Sequence, residues 1–238
     1  MLADSPKEVQ SGTLDKEIHL PGEARQHLVE FIAEELPRWR DHPDRPPKDA
    51  ETALTEHLCD YLTGAARDST TWSHIQFRTE TGDEGRSGRK IDLSVKPCGV
   101  AITIENRRHT QFDVIFPIEC KRLPTPTATD RDEREYVITE PGTTGGIQRF
   151  KFGYHGSTHE FAAMIGYVQD QDDAHWLKTI NGWIDGLAAE SNSAWSAADA
   201  LEMVTCDSDK RLCSLKSQHK RTEALSDIEL RHLWIQMN

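Results

Sequence analysis

Two apolar stretches, each with a single carboxylate set into it, constrain this chain more than any other feature. Residues 89–93 read Arg-Lys-Ile-Asp-Leu and continue to Val95, while residues 114–122 read Val-Ile-Phe-Pro-Ile-Glu-Cys-Lys-Arg. Both are rich in β-branched and aromatic residues and read as strands. Side chains alternate along a strand, so Glu119 and Lys121 share one face and Cys120 points to the other. If the two strands pair, Asp92, Glu119 and Lys121 stand on one face together. Adjacent carboxylates repel unless a cation lies between them. Oxygen ligands of this kind suit Mg²⁺, which binds through one or two carboxylates and keeps waters and substrate phosphate as its other partners. An ammonium beside that ion can orient an attacking water, help deprotonate it, or contact the phosphate.

The features around these stretches come in a definite order. Residues 1–22 are polar and read as a flexible arm. Leu28, Phe31, Ile32, Leu36 and Trp39 recur at helical spacing over residues 23–39. The proline-rich segment 41–47 ends that helix. A second helix is expected over residues 49–66, with a stripe of Leu54, Leu58, Tyr61, Leu62 and Ala65. Glu51 projects from the same face, whereas Glu56 lies off it. An alternating strand over residues 74–79 follows, and the glycine-rich turn 81–88 delivers the chain into the Asp92 strand as a hairpin. Another strand is expected over residues 100–105, ahead of the Glu119 strand. Beyond Lys121 come a loose proline- and threonine-rich loop (residues 123–129) and a charged stretch to Glu135. Gly142, Gly145 and Gly146 then open a helix carrying Gln148, Arg149 and Lys151. Glycines there let backbone amides approach a phosphate, although no phosphate-loop motif is present. The apolar run 161–168 leads into a core strand. An amphipathic helix of Trp176, Ile180, Trp183, Ile184 and Leu187, a short helix to about Val204, and strand-like runs 214–221 and 228–237 complete the chain.

At Asp92 and Glu119-Cys120-Lys121, and in the order helix, strand, strand with Asp, strand with Glu-x-Lys, the sequence resembles the PD-(D/E)XK nuclease superfamily. Ile91 replaces the proline of that motif. The resemblance covers residues 51–170 and implies an α/β fold, a central mixed β-sheet flanked by helices as in restriction endonucleases. The N-terminal helix and a C-terminal α/β extension from about residue 171 would be additions to one domain spanning residues 23–238, with its core at 49–170. It implies a Mg²⁺-dependent endonuclease, with Mn²⁺ as an alternative ion, cleaving DNA ahead of RNA in restriction or phage defence. Asp92, Glu119 and the carbonyl of Cys120 would hold the metal, and Lys121 would position or activate the water. Glu51 would stand beside the metal, and Gln148 or Arg149 would grip the scissile phosphate. Residues 104–107 copy the Glu-x-Lys pattern with arginine in place of lysine, and arginine holds its proton too tightly to activate water.

Other readings of the same residues stay open. Glu-x-Lys on an exposed strand face forms a solvated ion pair worth under about 1 kcal/mol. An acid in a first helical turn, as at Glu51, favours the macrodipole by about 0.3–1 kcal/mol. The nuclease fold also serves as a catalytically silent module that binds nucleic acid or a partner protein.

Composition sets the remaining bounds. The 238 residues suffice for one substantial core. A net charge of −12 argues against a protein that coats nucleic acid indiscriminately. Arg86, Arg89, Lys90, Arg107, Arg108, Lys121, Arg122, Arg149 and Lys151 nevertheless cluster around the carboxylates, either as a local phosphate grip or as part of a mixed, solvated surface with the interspersed Asp83, Glu84, Glu105 and Asp113. Arg89, Arg122 and Arg149 are the expected phosphate contacts. A partner protein or a second copy of the chain would supply the rest of the substrate grip. No apolar run is long enough to span a membrane, and residues 1–6 show no export signal. Cys59, Cys98, Cys120, Cys206 and Cys213 form an odd set without a C-x-x-C pair, which fits reduced thiols in a cytoplasm. His155 and His159 have metal-like spacing but no third ligand at fixed distance, so zinc is not expected there.

Overall fold

The computed structural model describes residues 17–47, 51–82, 89–126, 131–222 and 224–238. Its elements run β1 (Glu17–Leu20), α1 (Ala24–Arg40), α2 (Glu51–Asp68), β2 (Ile75–Gly82), β3 (Lys90–Pro97), β4 (Ala101–Ile104), β5 (Arg107–His109) and β6 (Phe116–Leu123). Then come α3 (Gly146–Lys151), β7 (Phe161–Val168), α4 (Asp173–Ala188), a 3₁₀ turn (Ala197–Asp199), β8 (Glu202–Asp207), β9 (Leu212–His219) and β10 (Ile228–Gln236). The protein is α/β, with a seven-stranded sheet in the order β2-β3-β6-β7-β10-β9-β8 and a three-stranded sheet in the order β1-β4-β5. The large sheet is mixed: β6, β7 and β10 are parallel, and the strands outside them pair antiparallel.

Alternation along the central strands divides the molecule into two cores. On β7, Ala163, Ile165 and Tyr167 face α1, α2 and the small sheet. Ala162, Met164 and Val168 face α3 and α4. That is why residues 161–168 are a nearly continuous apolar run: the strand is covered on both faces. On β6, Ile118 and Cys120 join the first core and Leu123 the second. Helix α4 presents Trp176, Ile180, Ile184 and Leu187 as one stripe at helical spacing.

Several expectations need correction. Glu17–Leu20, read as part of an arm, instead pairs in parallel with β4; residues 1–16 lie outside the described residues. The strand expected over residues 100–105 does form, at Ala101–Ile104, and it pairs with β1 and β5 in the small sheet. The short helix expected before Val204 is only the 3₁₀ turn, and residues 202–207 form the exposed edge strand β8. Cys206 and Cys213 face each other across β8 and β9 and are bonded as a disulfide, so the expectation of five reduced thiols fails for this pair. The first residues of the expected second helix, most of the 81–88 turn with Arg86, and part of the 123–129 loop fall on residues 48–50, 83–88 and 127–130, outside the described ones. Among the described residues, no helix is long and apolar enough to cross a membrane.

Candidate active site

The carboxylates come together where β3 and β6 part. Ladder pairing between these strands ends at Leu93↔Ile118, and Asp92 and Glu119 lie one step beyond. Leu93 and Val95 face the α1–α2 core, as do Ile118 and Cys120. Asp92, Glu119 and Lys121 therefore stand on the opposite face, under α3. With β3 diverging, the edge of β6 would carry unpaired amides, and carboxylates take them. The Cys120 amide donates to Asp92 Oδ2 at 3.1 Å, and the Arg122 amide donates to Glu51 Oε2 at 3.0 Å. The carbonyl of a strand residue points the same way as its N–H, so the Cys120 carbonyl lies on this same edge.

Glu119 is fully buried, with Lys121 Nζ 2.9 Å from Oε1. Arg149, on α3, donates to the same oxygen and stands 3.9 Å from Asp92 Oδ1. Lys121 Nζ also approaches Asp92 Oδ2 at 3.5 Å. Glu119 Oε2 finds no hydrogen-bond partner among the described residues; His155 Nδ1 lies 3.3 Å away without hydrogen-bond alignment.

The charges follow from these distances. Burial alone would raise the Glu119 carboxyl, but Lys121, His155 and Arg149 outweigh it and hold the group well below the usual range. For Asp92, burial and then the Glu119 charge push the carboxyl up to about 6, against Lys121, the Cys120 amide and Arg149. Burial disfavours the Lys121 ammonium, yet Glu119, Asp92 and Glu51 together raise its pKa above the ordinary value. The Lys121 ammonium is therefore held between the two carboxylates, placed to orient a water or a phosphate.

The other sequence candidates are placed unevenly. Glu51 reaches the site edge from α2 and also meets Arg131 at 3.5 Å. Gln148 does not face the carboxylates: its Oε1 accepts from the Thr139 and Gly145 amides and caps its own helix. Arg149 is held by the two carboxylates. Arg122 lies on the opposite face of β6 from Lys121, and its Nε donates to Gln169 Oε1 at 2.8 Å. Arg89 stacks over the Tyr154 ring at 4.1 Å, and its Nη1 has no hydrogen-bond partner among the described residues. The amides opening α3, expected near a phosphate, instead donate to the carbonyls of Glu135, Tyr136 and Val137. Lys151 points away, into a buried ion pair with Asp199 at 2.8 Å.

The sequence reading missed His155 as a neighbour of Glu119 and Arg131 as a neighbour of Glu51. His155 follows α3 at a turn with positive φ at Gly153 and Gly156, and nothing in its local pattern marks it as site-facing. No family model matches this chain, nor does any curated protein or solved structure.

Proposed function

We propose that this protein is a Mg²⁺-dependent nuclease hydrolysing phosphodiester bonds in nucleic acid, with DNA the favoured substrate. The observation that carries the reading is the convergence of Asp92, Glu119 and Lys121 on one face at the point where β3 leaves β6. The order α2, β2, β3, β6, α3, β7, with β6 and β7 parallel, supports the likeness to restriction endonucleases.

The donor set fits a hard divalent cation. Asp92, Glu119 and the carbonyl edge of Cys120 offer oxygen only. Such an ion, when bound, supplies Lewis acidity and lowers the pKa of its water. The chain's own residues do the rest. Glu51 fixes the β6 edge through the Arg122 amide, which keeps the Cys120 carbonyl in place. Lys121 would place its ammonium where negative charge on the phosphate develops. Arg89, stacked over the Tyr154 ring, would offer its guanidinium to a phosphate.

A second reading has its own observation. Lys121 and Arg149 already neutralise the carboxylates, as in a nuclease-fold module that only binds nucleic acid or a partner. Cleavage of single- and double-stranded DNA and RNA, assayed with Mg²⁺, Mn²⁺ or chelator, separates the two. The expected outcome is metal-dependent cleavage, lost by at least about a hundredfold in Asp92→Asn and Lys121→Ala. Lys121 is buried, so the thermal midpoint is measured alongside; Asp92→Asn retains an acceptor for the Cys120 amide and is the gentler change. Unchanged cleavage in a folded Asp92→Asn protein, or no cleavage under any condition, rejects the nuclease reading.

A further inference from the structure

A second group of ligand atoms lies at the far edge of the sheet, on the strands three and four places from β6. Cys206 on β8 is directly opposite Cys213 on β9, with Cα atoms 4.1 Å apart. Asp173, in the first turn of α4, brings Oδ2 to 3.8 Å from Cys206 Sγ. One ligand atom from each of these three residues lies within 4.8 Å of the other two.

The usual task of a first-turn aspartate is already done by another residue. Asp172 is the N-cap, accepting from the His175 amide at 2.7 Å. Asp173 is left to turn toward the hairpin, and Gln236 on β10 fixes it by donating to Oδ1 at 3.1 Å. A ligating carboxylate is commonly oriented in this way, with one oxygen hydrogen-bonded and the other directed to the metal.

We propose that the reduced chain binds Zn²⁺ at this corner through Cys206, Cys213 and Asp173, and that the disulfide is the metal-free oxidised state of the same site. The geometry is close to what zinc needs: ligand atoms around a tetrahedral ion with two thiolates stand about 3.5–3.8 Å apart, given its bond lengths. The Cys206–Asp173 separation of 3.8 Å lies within a few tenths of an ångström of the sulfur–oxygen distance. Parting the sulfurs requires rotation of Cys206, whose side chain is exposed. Thiolates exclude Mg²⁺ and Ca²⁺, while the carboxylate makes the set too hard for Cu(I). Three protein ligands leave a fourth position for water.

The conversion balances with a dithiol as reductant. Two electrons and two protons pass to the Cys206–Cys213 bond, giving two thiols, and the dithiol leaves as its own disulfide. Zn²⁺ then displaces the two thiol protons into solvent. The oxidised form ties β8 to β9 alone, whereas the metal form also ties this hairpin to α4.

The test uses the full chain, reduced with a dithiol, desalted without oxygen and titrated with Co²⁺ as a spectroscopic substitute for Zn²⁺. One equivalent should bind with a near-ultraviolet thiolate-to-cobalt band, and Zn²⁺ should bleach it. The unreduced chain should show no band. Cys206→Ser, at an exposed position, should lose the band with an unchanged circular dichroism spectrum. Asp173→Asn should weaken binding about tenfold or more, and Asp92→Asn should leave the band intact, which separates this site from the carboxylate site. Absence of the band in the reduced chain, or its persistence in Cys206→Ser, overturns the proposal, as does unchanged affinity in Asp173→Asn.

Discussion

At the scale of single residues, charge and burial together set how this protein responds to pH. His159 is 6% exposed, and Arg25, Arg107, His109 and Arg221 surround it from α1, β5 and the segment after β9. Burial first, and these positive neighbours second, lower its pKa to about 3, so the ring is neutral in the folded protein. The unfolded chain takes up that proton near pH 6.5. His159 therefore contributes stability that is fully present above about pH 6.5 and is lost as pH falls toward 3, at up to about 1.4 kcal/mol per pH unit. His219 and His232, also lowered by burial, act in the same direction. Urea unfolding of the wild type between about pH 6.5 and 4 should show this decline, and His159→Gln should remove one proton's worth of the slope. An identical slope in the variant would mean that His159 is not held neutral. None of this was visible in the chain's pattern, where His155 and His159 looked like one weak metal-ligand pair. The structure separates them: His155 borders Glu119, while His159 lies among arginines.

At the scale of elements, α3 shows why the opening glycines were misread. The backbone at Gly145 is ordinary, with φ −62° and ψ 140°. What requires glycine is space: a Cβ there would lie 2.3 Å from Ile138 Cα, and one at Gly146 would lie 2.9 Å from the Tyr136 carbonyl oxygen. The glycines bring the 135–138 segment against α3, where its carbonyls take the helix's opening amides. Gly145→Ala should cost about 1–3 kcal/mol by overpacking against backbone, and, on the nuclease reading proposed above, should lower cleavage because α3 carries Arg149. Gly182, inside α4 with open space beside it, gives the contrast. Gly182→Ala should stabilise by about 0.5–1 kcal/mol. Thermal midpoints of both variants check the pair; equal and small effects would remove the packing account. The β6 strand was the most legible element, since period-two alternation alone places Glu119 and Lys121 together. The job of Gln148 was illegible, because its cap depends on a loop that reaches α3 only after folding.

At the scale of the whole molecule, one buried polar chain ties α3 to the C-terminal strands. The Trp234 indole N–H donates to the Tyr136 hydroxyl at 2.9 Å, and Tyr136 lies 2.9 Å from His232 Nδ1. Ser217 Oγ bridges His232 Nε2 at 2.8 Å and His219 Nε2 at 2.7 Å. His219 Nδ1 lies 2.7 Å from Asp199 Oδ1, which also receives the Lys151 ammonium. With both histidines neutral, one arrangement satisfies every group: Tyr136 donates to His232, His232 to Ser217, Ser217 to His219 and His219 to Asp199. These residues are scattered between positions 136 and 234, so no local spacing could have announced them. Among the described residues Lys151 is ion-paired with Asp199, and Lys151 sits two residues from Arg149 on α3. Asp199→Asn leaves a buried ammonium without its anion, which should cost about 3–5 kcal/mol and lower the thermal midpoint on the order of 10 °C. Removing both charges, in Asp199→Asn with Lys151→Met, should recover part of that loss because no uncompensated ion remains. The exposed Glu80–Lys90 pair serves as the control, and Lys90→Ala should change stability by less than about 1 kcal/mol. If Asp199→Asn were as mild as Lys90→Ala, the chain would not be what anchors α3, and the placement of Arg149 against Glu119 would need another cause.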